Sequence, residues 1–141
     1  MAKILLIEPD TKVLEFISRF LMEAGHRVVI SDQGKAALKK MEEDRYDLLI
    51  CDTDLHDLPG LDMLKLIKEN HEHLPVIVTA SLDDPTGRNK AFGMGAFEYI
   101  VKPFDLELLL DAVQRAIWSS SSEKKENPVF SGLGGNGNCT K

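Results

Sequence analysis

Long apolar runs are the first thing this sequence lacks. The longest, residues 4–7 and 48–51, hold four residues each, against the roughly 18 needed to cross a bilayer. The first follows Lys3 and stops at Glu8, too short for the core of a secretory signal. Cysteine is also scarce. Cys51 and Cys139 cannot build a disulfide framework, and Cys51, at the end of an apolar run, reads as a small buried hydrophobe. These absences point to a reducing, cytoplasmic setting away from any membrane. Positive charge is in deficit: 17 Lys and Arg against 23 Asp and Glu leave a net charge of -6. That excludes broad electrostatic binding to nucleic acid or to an anionic membrane. No internal repeat is present. Nor does a glycine-rich phosphate loop follow the first apolar run, where Glu8, Pro9 and Asp10 stand instead.

What is present is an alternation of short apolar runs and amphipathic stretches. Strands are expected over 3–7, 27–31, 46–52, 75–80 and 96–101, with Pro9 ending the first and Pro75 tolerated at the start of the fourth. Between them, apolar residues recur at helical spacing. One helix carries Val13, Leu14, Phe16, Ile17, Phe20 and Leu21, is capped by Asp10 or Thr11 and is closed by Gly25. A second spans 34–44 and a third 61–70. Asp83, Asp84, Pro85 and Gly87 read as a turn before a weaker helix that ends near Met94. Asp105 caps a last helix with Leu108, Leu109, Ala112, Val113 and Ile117. Five strands alternating with five helices predict an α/β fold: a doubly wound parallel sheet covered on both faces. The character changes after Trp118, where residues 120–141 are polar and rich in glycine and serine. They read as a flexible linker or tail after a domain spanning 1–119.

The most informative stretch is 47–60, DLLICDTDLHDLPG. An apolar run ends in Asp52, which places a carboxylate at the carboxyl edge of the sheet, where open α/β sheets bind their ligands. The neighbouring strand ends bring Glu8 and Asp10, Asp54, Thr79 to Ser81, and Lys102. Taken singly, each is a polar residue meeting water. Together they suit Mg²⁺, a hard cation that takes oxygen ligands, and a phosphoryl group neutralised by Lys102. Asp52 is already ionised at neutral pH and needs no general base to act as a nucleophile. The trio His71, Glu72 and His73 lacks a further partner for a metal and reads as solvated, as does His56.

Over residues 1–119 the chain resembles the receiver domain of two-component response regulators. The resemblance rests on KILLIEPD, YDLLICDTDLHDLPGLDML, LPVIVTAS and GAFEYIVKPF, the last being the most specific. It implies a flavodoxin-like three-layer αβα fold with strand order 2-1-3-4-5. It also implies a phosphoprotein of phosphorelay signal transduction that takes a phosphoryl group from a sensor histidine kinase or a phosphotransfer protein. The acceptor would be Asp52, the phosphate contact Lys102 with a cis Lys102–Pro103 bond, and the switch aromatic Tyr99. The Mg²⁺ ligands would be Glu8, Asp52 and the Asp54 backbone carbonyl. The fourth helix, fifth strand and last helix would address an output domain or a downstream protein, from a monomer or a phosphorylation-dependent dimer. Such a domain is a switch and not an enzyme, beyond slow self-dephosphorylation.

Two departures from the family pattern stand out. Pro9 replaces the acid that normally ligates Mg²⁺, which implies weak binding unless Asp10 compensates through a shifted loop. The switch hydroxyl is expected five residues after Pro75 and twenty-two before Lys102. Both counts fall on Ala80, between the candidate hydroxyls of Thr79 and Ser81, and they favour its absence. These departures keep open a pseudo-receiver that docks partners without phosphorylation. The Asp-x-Asp of CDTDL also fits haloacid-dehalogenase-like phosphatases. That family places the motif after its first strand, with Thr or Val where His56 stands.

Overall fold

The computed structural model describes the backbone of residues 1–125 and the side chains of 1–120. Strands and helices alternate strictly: β1 Lys3–Ile7, α1 Thr11–Glu23, β2 Arg27–Ser31, α2 Gly34–Glu43, β3 Leu48–Asp52, α3 Asp62–Asn70, β4 Val76–Ala80, α4 Pro85–Gly93, β5 Glu98–Val101 and α5 Leu106–Lys125. All strand pairs are parallel, in the order β2-β1-β3-β4-β5. This is the order that the resemblance implies.

The two-residue period of a strand divides the core into two layers. Leu5 and Ile7, Leu49 and Cys51, Val76, Val78 and Ala80, and Tyr99 face one way. They pack with Ala37 and Met41 of α2, Met63, Leu64 and Ile67 of α3, and Ala91 of α4. Ile4 and Leu6, Leu48 and Ile50, Ile77, and Ile100 face the other way. They pack with Leu14, Ile17 and Leu21 of α1 and with Leu109, Ala112, Val113 and Ala116 of α5. The central strands β3 and β4 are buried along their whole length, as expected of a parallel sheet covered on both faces.

Helix ends are set by local chemistry. The Asp10 carboxylate accepts from the Lys12 and Val13 N–H groups and caps α1. Gly25, at φ +98°, supplies the left-handed turn that ends it. The expected turn at Asp83–Gly87 is instead the start of α4. Asp84 accepts from Thr86 N–H, and Pro85 occupies the first turn, where its fixed φ suits a helix and its missing N–H has no partner to lose. The last helix continues past Trp118 through the serines at 119–122 to Lys125. Serine costs a helix only about 0.5 kcal/mol per residue, and Glu123, Lys124 and Lys125 are good helix formers. The expected linker or tail over 120–141 therefore begins as helix, and residues 126–141 lie outside the described residues.

Candidate functional site

The carboxyl ends of β1, β3, β4 and β5 meet along one edge of the sheet. Strand parity decides which side chains converge there. Asp52 lies in register with Thr79 and on the same face as Ile50. Glu8 continues the face of Ile4 and Leu6, and Lys102 that of Ile100. Four polar groups therefore gather above the α1/α5 layer.

Asp52 is 1% exposed and Glu8 2% exposed. The Lys102 ammonium donates to Glu8 Oε1 at 2.7 Å and to Asp52 Oδ2. The remaining carboxylate oxygens are also occupied. Asp54 N–H donates to Asp52 Oδ1 at 2.6 Å, and Asp10 N–H to Glu8 Oε2 at 3.1 Å. Thr79 Oγ1 stands 3.5 Å from Asp52 Oδ2. Lys102 is followed by a cis bond to Pro103.

Two carboxylates and one ammonium leave the cluster with one negative charge in excess. Burial pushes the Glu8 carboxyl above the ordinary carboxylate range. The Lys102 bond opposes that shift, and the neighbouring Asp52 adds to it. Burial alone would lower the Lys102 pKa, but its bonds to Asp52 and Glu8 outweigh burial and hold it above the usual lysine value. The ammonium is therefore a fixed charge at physiological pH, positioned to neutralise an anion on Asp52.

Other expected site residues fall elsewhere. Asp54 is exposed, and its Oδ2 accepts from Ser81 Oγ at 2.5 Å. Asp10 Oδ1 caps α1, accepting from the Lys12 and Val13 N–H groups. Ala80, where the counting places a hydroxyl position, is buried on the opposite face of the sheet with Tyr99. The residue that faces Asp52 is Thr79. Tyr99 is 6% exposed, with Arg88 donating to its carbonyl at 3.2 Å and stacked 5.0 Å from its ring centre. His56 is exposed. His71 and His73 line a groove at the amino edge of the sheet, remote from Asp52.

Among the described residues, no three His, Cys, Asp or Glu side chains stand close enough to share a metal ion. The donor set still fits a hydrated Mg²⁺ held by few protein ligands. Glu8 and Asp52 present two buried carboxylates at one point, and the Asp54 carbonyl belongs to the same loop.

A model of the response regulator receiver domain matches residues 4–114. The chain belongs to this family. Receiver domains are signalling domains of phosphorelay systems and are generally not enzymes. Phosphorylation and Mg²⁺ binding at the phosphorylation site are typical of them, and they interact with histidine kinases and output domains. The chain is 33% identical over 129 residues to the response regulator protein FleR of Pseudomonas aeruginosa, covering 91% of this chain and 27% of FleR. It is 33% identical over 114 residues to the response regulator ArlR of Staphylococcus saprophyticus, covering 81% of this chain and 51% of ArlR. It thus spans about a quarter to a half of these full-length regulators. A crystal structure of a response regulator receiver domain protein from Clostridium thermocellum superposes with a TM-score of 0.81 at 30% identity, covering 86% of this chain and 98% of that one.

Proposed function

We propose that Asp52 accepts a phosphoryl group from a sensor histidine kinase or a phosphotransfer protein, and that this state switches an output surface formed by α4, β5 and α5. The observation that carries this reading is the Lys102 ammonium bonded to Asp52 at the carboxyl edge of the sheet. In the resting state Lys102 is shared between Asp52 and Glu8. Transfer places new anionic oxygens on Asp52, and the ammonium moves with them. The N–P bond of the donor breaks as the O–P bond to Asp52 forms, and the donor imidazole keeps the electron pair. Glu8, Asp52 and the Asp54 carbonyl would hold Mg²⁺, which would supply charge neutralisation at the acceptor. Its affinity would be low because Pro9 contributes no carboxylate.

Thr79 provides the hydroxyl that meets the phosphoryl group. Lys102, Asp52 and Thr79 make the chain a phosphoacceptor without turnover, apart from slow self-dephosphorylation. We place it in the cytoplasm, as is typical of the family, as a monomer or a phosphorylation-dependent dimer. The signalling module closes with α5, and the residues beyond that helix serve as a linker to an output domain or as a tail.

A second reading, a pseudo-receiver that docks partners without phosphorylation, is favoured by one observation. Pro9 removes a carboxylate, and Lys102 already satisfies both remaining ones. Intact mass after incubation with acetyl phosphate and Mg²⁺ separates the two. The first reading expects one added phosphoryl group, absent in Asp52→Asn. An unchanged wild-type mass selects the second.

A further inference from the structure

The connection from Asp52 to α3 is held at several points. Thr53 N–H donates to Thr79 O at 2.9 Å, and Gly60 N–H returns to Thr53 O at 2.7 Å, closing the loop on itself. Leu55 is 1% exposed and anchors the loop in the core. The outer part of the loop has no strand or helix of its own to bond with. It is held by Asp57, whose Oδ1 accepts from Gly34 N–H and Oδ2 from Lys35 N–H, both at 2.8 Å.

These two amides belong to the first turn of α2, whose N–H groups have no intrahelical partner. Gln33, at the N-cap position, makes no side-chain bond to the helix. The cap of α2 therefore comes from the loop that carries Asp54, more than twenty positions along the chain. A carboxylate suits that place because the helix dipole is positive there. The bonds from Lys35 and Gly34 hold the Asp57 carboxyl below its usual range. Packing reinforces the joint. A Cβ on Gly34 would fall 2.9 Å from Leu58 Cδ1 and 3.1 Å from Leu58 Cβ, so glycine is what allows the loop to close onto the helix.

We propose that Asp57 is a positioning residue for Asp52: by clasping the 53–60 loop to the N-terminus of α2, it holds the Asp54 N–H on Asp52 Oδ1. The consequence for phosphorylation rests on the acceptor reading above. The clasp itself does not.

The test uses the full chain and three forms: wild type, Asp57→Ala, and Asp57→Ala combined with Gln33→Asp. Gln33 already has the extended backbone of an N-cap, with φ -137° and ψ 146°, so the second substitution gives α2 a local cap without touching the loop. Hydrogen exchange resolved by residue reads Gly34, Lys35 and Asp54 separately. In Asp57→Ala, protection at Gly34 and Lys35 falls by about ten- to a hundredfold, the value of a hydrogen bond to a charged acceptor. Asp54 N–H loses about tenfold with them. Adding Gln33→Asp restores Lys35 N–H and the melting temperature, but not Asp54 N–H, and labelling by acetyl phosphate stays slow in both variants. The proposal is overturned if Asp54 N–H keeps its protection in Asp57→Ala, or if Gln33→Asp restores it, since Asp57 would then be a helix cap and nothing more. If wild type takes up no phosphoryl group, the acceptor reading fails and the Asp54 amide alone decides the clasp.

Discussion

Lys102→Met removes the one cation from a cluster that holds two buried carboxylates. Glu8 and Asp52 side chains are 3% and 0% exposed, and that of Lys102 is 22% exposed. Deleting one partner of a fully buried pair costs about 3–5 kcal/mol. Partial exposure of the lysine discounts this to about 2–3 kcal/mol. With a urea dependence of about 1.5 kcal/mol per molar, the unfolding midpoint falls by roughly 1–2 M. The loss also acquires a definite pH dependence. Glu8 already sits above its ordinary 4.5 because of burial, and without Lys102 only the Asp10 N–H bond still opposes that shift. A carboxyl whose folded pKa exceeds its unfolded value binds its proton more tightly when folded. Its favourable contribution is complete below the unfolded pKa and is lost as pH rises through the folded one. Lys102→Met therefore regains ground on wild type as pH falls from about 7.5 to about 5. Asp52→Asn removes the excess negative charge and is no less stable than wild type at pH 7.5. Urea unfolding of the three forms at both pH values is the assay. A Lys102→Met protein as stable as wild type at pH 7.5, or one that falls further behind on acidification, refutes this account of the cluster.

Thr79→Val abolishes the response of the Tyr99 ring to beryllofluoride in NMR, while Ser81→Ala retains it, because the Thr79 hydroxyl stands beside Asp52 and that of Ser81 is bonded to the exposed Asp54 carboxylate. Ala80→Thr adds bulk in a closed layer beside Tyr99 and lowers stability by about 1–3 kcal/mol in thermal melts, without strengthening that response. Asp10→Ala costs about 1 kcal/mol through the lost α1 cap and leaves Mg²⁺ affinity unchanged, whereas Pro9→Asp tightens Mg²⁺ binding in titration calorimetry.

The order of strands and helices is legible in the sequence because each strand is a short apolar run and each helix keeps an apolar stripe. Asp52 and Lys102 are legible for the same reason: a charge that ends a buried run has only the strand edge to go to. The register of β4 is not. All its residues are buried, so no alternation tells which of Thr79 and Ala80 faces Asp52, and counting from Pro75 and Lys102 gives a position in the chain and not the face it takes. Pairing with β3 settles it, and pairing is a long-range property. The start of α4 is obscured because Asp84, Pro85 and Gly87 are equally good turn residues, and α4 buries only Ala91. The Asp57 clasp joins residues distant in the chain and has no local signature. Asp10 carries both a cap signal and a ligand signal in sequence, and the cap is the one formed here.

An acyl phosphate on Asp52 can be trapped directly. Borohydride reduction of the protein treated with acetyl phosphate and Mg²⁺ converts a phosphorylated aspartate to homoserine, and peptide mass spectrometry locates it. Homoserine is expected at residue 52 and at no other acid of the edge. Intact Asp52 in every peptide, or reduction at Glu8 or Asp54 instead, contradicts it.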